Sequence, residues 1–106
     1  MDSMTIQDVL RHIESASTND AELIDVREKD EFEAGHVPGS RNVPLMGVLL
    51  NPDNFFDKAK TYYLICESGG RSLCGAEHLH ELGFQVINVL GGMEAYWNYI
   101  GKRSQA

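Results

Sequence analysis

The sequence predicts an α/β fold built on a mostly parallel sheet. Three short runs rich in branched and aromatic residues, "ELIDV" (22–26), "TYYLIC" (61–66) and "QVINVL" (85–90), read as buried strands. Around and between them apolar residues recur at i, i+3, i+4 and i+7, the spacing of one helix face. Strands that alternate with helices in this way pair in parallel, because each crossover helix returns the chain to the same end of the sheet.

In chain order, "TIQDVLRHI" (5–13) places Ile6, Val9, Leu10 and Ile13 on one helix face, with Thr5 as N-cap and "STND" (17–20) as the break. After the strand at 22–26, the acidic run "EKDEFEAG" (28–35) reads as a short helix ended by Gly35, its carboxylates near the favourable N-terminal end of the dipole. "HVPGSRNVP" (36–44) holds two prolines and a glycine and reads as a turn plus a brief extended piece around Val43. "LMGVLL" (45–50) reads as helical, and "DNFFDKAK" (53–60) as a connector whose Phe55 and Phe56 return to the core. Leu73, Ala76, Leu79 and Leu82 mark the face of the next helix, closed by Gly83. A turn at Gly91–Gly92 then leads to a last helix packed through Met93, Tyr96, Trp97 and Ile100.

The chain of 106 residues fits one domain, with 42% hydrophobic and 24% charged residues, as in ordinary globular proteins. A formal net charge of −7 argues against nucleic-acid or anionic-membrane partners. It also opposes the approach of small anions. No apolar stretch approaches the roughly 18 residues of a membrane span, and "MDSMTIQDVLRH" lacks a leader pattern, so a cytoplasmic protein is expected. Cys66 and Cys74 are too few for a disulfide scaffold and read as thiols.

The chemistry concentrates in "CESGGRS" (66–72), where a strand ends in a cysteine and a helix begins. A thiol of ordinary pKa, about 8.5, reacts well near neutrality only if its thiolate is stabilised. Backbone N–H groups curled round the sulfur at a helix start supply that, and Gly69 and Gly70 allow the curl. Arg71 adds a planar fork able to hold an oxyanion in two hydrogen bonds. The competing reading of Cys66 is a small buried apolar residue. Both "DVRE" (25–28) and this loop lie at strand carboxyl ends, where open α/β sheets bind ligands.

With "LIDVRE" (23–28), "EFEAGHVPGSRNVP" (31–44), "CESGGRS" and "LGFQVINVLGGMEAYW" (82–97) in this order, the chain resembles a single-domain rhodanese, a sulfurtransferase, over about residues 4–97. The resemblance implies a five-stranded sheet with helices on both faces and a cysteine that cycles through a persulfide. Cys66 would be the nucleophile that accepts a sulfane sulfur from thiosulfate or a persulfide. Glu67, Ser68, Gly69, Gly70, Arg71 and Ser72 would form the cradle, with Arg71 also contacting an anionic donor. Asp25 and Arg27 would support the loop, and no metal or organic cofactor is implied. Glu67 and the net charge disfavour thiosulfate, which leaves a small-molecule or protein persulfide as donor. A protein acceptor would make the chain a persulfide carrier.

Two other functions compete. A cysteine phosphatase has a similar loop with five residues between cysteine and arginine, and this chain has four. An interaction module on the same fold lacks the cysteine, and this chain has it. The remaining candidates read as structural. Cys74 fits an inert thiol on a helix side better than a redox partner, and His78 and His80, two apart, point to different sides of their helix without a third metal ligand. His36 fits a turn-fixing hydrogen bond better than a catalytic base.

Overall fold

The computed structural model describes residues 2–15 and 20–105, with 102–105 as backbone only. Five strands, β1 (Asp2–Met4), β2 (Ala21–Asp25), β3 (Arg41–Asn42), β4 (Thr61–Ile65) and β5 (Gln85–Val89), form one sheet in the order β1-β5-β4-β2-β3. Every pairing is parallel. The helices are α1 (Ile6–Ser15), α2 (Lys29–Ala34), α3 (Leu45–Leu50), α4 (Gly70–Glu81) and α5 (Gly92–Gln105), with a 3-10 turn at Pro52–Asn54. None of the described helices is long and apolar enough to cross a membrane.

Period-two alternation along β4 builds the two halves of the core. Tyr62 and Leu64 join Val48 of α3 with Ala76 and Leu79 of α4 on one face of the sheet, and Cys66 continues this row. Tyr63 and Ile65 join Ile6 and Val9 of α1 with Met93 and Tyr96 of α5 on the other. A central strand buried on both faces is why "TYYLI" carries no polar residue beyond its first.

Thr5 caps α1 as expected, its Oγ1 accepting the Asp8 N–H at 3.3 Å. The break read at 17–20 lies, but for Asp20, outside the described residues. The fifth strand, β1, has no apolar run to announce it and pairs with β5 through its backbone. Four expected core residues stand outward: Phe55 (38% exposed), Leu73 (39%), Leu82 (43%) and Trp97 (43%). Phe56 alone fills the place read for both phenylalanines, packed edge-on against Tyr62. Leu73 and Leu82 flank the narrow buried stripe of Ala76 and Leu79, since a helix packed on a sheet buries less than the face its spacing suggests.

Strand register sets up the site. Asp25 lies opposite Ile65, and Leu64 opposite Asn88, so β2, β4 and β5 release their chains side by side at one end of the sheet. The segments that follow, Val26–Glu28, Cys66–Gly69 and Leu90–Gly91, therefore meet there.

Candidate active site

Cys66 is 1% exposed and lies at the floor of the loop between β4 and α4. Its Sγ accepts the Gly69 N–H at 3.1 Å, and its S–H donates to Ser72 Oγ at 3.3 Å. Gly69 takes φ +113°, a left-handed conformation that turns its N–H back onto the sulfur. Gly70 needs no such freedom, being the first residue of α4. Burial pushes the Cys66 thiol up. The Ser72 hydroxyl and the N–H groups of Ser72, Gly69 and Ser68 pull it down further, so its pKa falls below that of a free thiol.

The outer side of the loop is held by α5. Met93 N–H donates to Cys66 O at 2.8 Å, and Glu94 N–H to Glu67 O at 3.1 Å. These bonds turn the loop carbonyls toward the start of α5 and leave the N–H side to the sulfur. Gly92 makes the approach possible: a Cβ there would lie 2.3 Å from Cys66 O and 2.6 Å from Glu67 O.

Asp25 and Arg27 stand beside the loop as a buried pair, 0% and 5% exposed. The Asp25 carboxylate accepts Arg27 Nη2 at 2.9 Å, Nε at 3.0 Å and the Arg27 backbone N–H at 3.0 Å. Arg27 Nη2 also donates to Gly35 O at 2.7 Å, and Nη1 reaches Glu67 Oε1 at 3.4 Å. One guanidinium thus joins the end of β2, the end of α2 and the cysteine loop.

Arg71 presents its two terminal nitrogens to one carboxylate: Nη1 donates to Glu31 Oε1 at 2.7 Å and Nη2 to Oε2 at 2.9 Å. Glu31 Oε1 also accepts the Glu28 N–H at 3.0 Å, closing the capping box of α2. The hydrogen bonds from Arg71 and then from the Glu28 backbone hold the Glu31 carboxyl at about 2.

The structure brings all nine sequence-named site residues to one end of the sheet. It adds three that the sequence does not assign to the site: Glu31, Asn88 and Gly92. Asn88 is 4% exposed and its Oδ1 accepts the Ser72 hydroxyl at 2.7 Å. A polar residue in phase with Val86 inside an apolar strand was its one sequence signal. Glu31 carries no local signal of its role, since its partner Arg71 is 40 residues away.

Other candidates fall outside this cluster. His36 fixes its turn, with Nδ1 2.7 Å from Phe32 O and its ring stacked on Phe32. Cys74 is exposed on α4, and both cysteines are free. Trp97 lies edge-on to Tyr96 and against Gly35. Among the described residues no group of three His, Cys, Asp or Glu side chains could hold a metal ion.

A parallel α/β sheet whose central strand delivers a thiol into a ring of N–H donors at a helix start defines a cysteine-loop protein suited to an anionic sulfur. The model of the rhodanese-like domain matches residues 5–99, and the chain belongs to this family. The Bacillus subtilis (strain 168) protein named "Putative sulfurtransferase YtwF" is 42% identical over 74 residues, which are 70% of this chain and 71% of that one. "Thiosulfate sulfurtransferase 16, chloroplastic" of Arabidopsis thaliana is 35% identical over 85 residues, covering 69% of this chain and 71% of its own. The crystal structure of a rhodanese-like domain protein from Staphylococcus aureus superposes with a TM-score of 0.78 at 31% identity, over 91% of each chain.

Proposed function

We propose that this chain is a sulfurtransferase that moves a sulfane sulfur through a persulfide on Cys66. The Cys66 thiolate attacks the outer sulfur of a donor. A new S–S bond forms as the donor's own bond breaks, and the donor remnant leaves with the electron pair. An acceptor nucleophile then takes the outer sulfur and returns Cys66 to the thiolate. The observation that carries this reading is the Cys66 sulfur held by Gly69 N–H and Ser72, with its pKa below that of a free thiol. Membership of the rhodanese-like family and the sulfurtransferase names of the relatives support it.

In this scheme the loop of Glu67, Ser68, Gly69, Gly70, Arg71 and Ser72 cradles the persulfide, and Asp25 with Arg27 keeps the loop in place. The cradle holds negative charge on sulfur by donors fixed before the reaction, so little reorganisation accompanies the transfer. A loop four residues long between cysteine and arginine suits one added sulfur atom better than a phosphoryl group.

Incubation with thiosulfate and, separately, glutathione persulfide, followed by intact-protein mass spectrometry and peptide mapping, tests the mechanism. One sulfur atom should appear on Cys66 and be removed by cyanide, and Cys66→Ser should abolish both loading and transfer. Transfer that survives in Cys66→Ser would end the proposal.

A further inference from the structure

We infer that Glu31 sets the class of sulfur donor: it occupies the anion-binding fork of Arg71, so that the site takes sulfur from alkyl persulfides, R–S–SH, in preference to oxyanion donors such as thiosulfate. This rests on the sulfur-transfer reading of Cys66.

An arginine at the mouth of a cysteine loop is a ready receptor for an oxyanion, since its fork matches two oxygens at once. Here both oxygens are already supplied. The two terminal nitrogens of Arg71 meet the two oxygens of Glu31 at 2.7 and 2.9 Å. The carboxylate is not a loose side chain that a donor displaces at little cost. It is the third residue of α2 and holds the Glu28 N–H at 3.0 Å, so the capping box fixes the carboxylate in front of the fork. The same hydrogen bonds, from Arg71 and then from the Glu28 backbone, hold the Glu31 carboxyl at about 2.

The second guanidinium offers no substitute. Arg27 donates to Asp25, to Gly35 O and to Glu67, using all three of its side-chain nitrogens. Around the loop two guanidiniums therefore face three carboxylates, and Cys66 as a thiolate adds a fourth negative charge. Thiosulfate would bring two more negative charges and leave as sulfite, with both arginines engaged. Like-charge placement of this kind discriminates between ligands by repulsion rather than by added contacts.

An alkyl persulfide carries no oxyanion at its reacting end. The balance is Cys66–S⁻ plus R–S–SH giving Cys66–S–SH plus R–S⁻. One S–S bond replaces another, the thiolate R–S⁻ keeps the electron pair and takes a proton from water, and no net oxidation occurs. Only a sulfur atom has to reach the buried Cys66, which the N–H groups of the loop then receive.

The test is the ratio of Cys66 loading rates from thiosulfate and from glutathione persulfide, read by mass spectrometry in the wild type, Glu31→Gln and Glu31→Gln/Arg71→Ala. Glutamine keeps an oxygen for the Glu28 N–H but removes the negative charge and the acceptor of Arg71 Nη2, opening the fork to an oxyanion, so the ratio should rise about tenfold toward thiosulfate. The double variant removes a pair of no net charge and should return the ratio to within about twofold of the wild type. An unchanged ratio in Glu31→Gln overturns the inference. So does a tenfold fall in the double variant, which would mean that Arg71 binds the oxyanion while paired with Glu31. Should Glu31→Gln fail to fold, Glu31→Ala, which also leaves Arg71 without its carboxylate, is read in its place against the same outcomes. Loading from neither donor in the wild type would instead remove the sulfur-transfer reading, and this inference with it.

Discussion

Ser72 shows how a single buried hydroxyl can serve two states of its neighbour. With Cys66 protonated, the S–H donates to Ser72 Oγ and the hydroxyl proton goes to Asn88 Oδ1 at 2.7 Å. With Cys66 ionised, the hydroxyl can turn to the sulfur, since a hydroxyl rotates to suit its partner. The second state is the one that lowers the thiol pKa. Ser72→Ala should therefore shift the pH profile of Cys66 alkylation upward and slow alkylation near neutrality. An unmoved profile would assign the stabilisation to the N–H groups alone. Asn88 fits the same account: its carbonyl end gives the Ser72 proton a place to rest when Cys66 does not need it.

Among the elements, α5 acts on a loop well removed from it in sequence. Its first N–H groups close on the carbonyls of Cys66 and Glu67, so the end of the chain shapes a loop more than twenty residues earlier. Gly92 permits this with φ +56° and no Cβ. Gly92→Ala should cost about 2–4 kcal/mol, from the clash with two loop carbonyls together with the left-handed backbone. Urea unfolding measures the loss, and Cys66 loading should slow in parallel. A change below about 0.5 kcal/mol, the range of an ordinary surface substitution, would mean that the loop yields without harm. Helix α2 plays the matching part on the other side: it is six residues long and buries none of them fully, yet it carries Glu31 to Arg71 and ends at the Gly35 carbonyl that Arg27 holds.

At the scale of the whole molecule, a net charge of −7 surrounds a site that must admit small sulfur compounds. Raising ionic strength from about 0.01 M to physiological levels shortens the Debye length from about 30 to about 8 Å, which screens that field. Cys66 loading by thiosulfate should accordingly speed up several-fold with added sodium chloride. A fall in rate with salt would show that a positive field at the loop outweighs the net charge. The sheet order brings the ends of β2, β4 and β5 together, so this local field is set by residues from three separate stretches of chain.

Periodicity and composition determined the α/β class, the limits of β2, β4 and β5 to within one residue, and the loop with its cysteine, glycines and arginine. These are local properties: a strand buried on both faces must be apolar throughout, and a nest of N–H groups needs its glycine in place. Strand β1 is not legible in the sequence because three residues that pair by backbone leave no side-chain pattern. Trp97 was placed in the core by spacing that records the face of a helix, but not how far the neighbouring elements extend over it. Only the tertiary structure decided that Arg71 meets Glu31, that Ser72 meets Asn88 and that Gly92 meets the Cys66 carbonyl. The physical reason is common to all three: hydrogen bonds and ion pairs act through space over a few ångströms, and only sheet register brings these distant residues within that range.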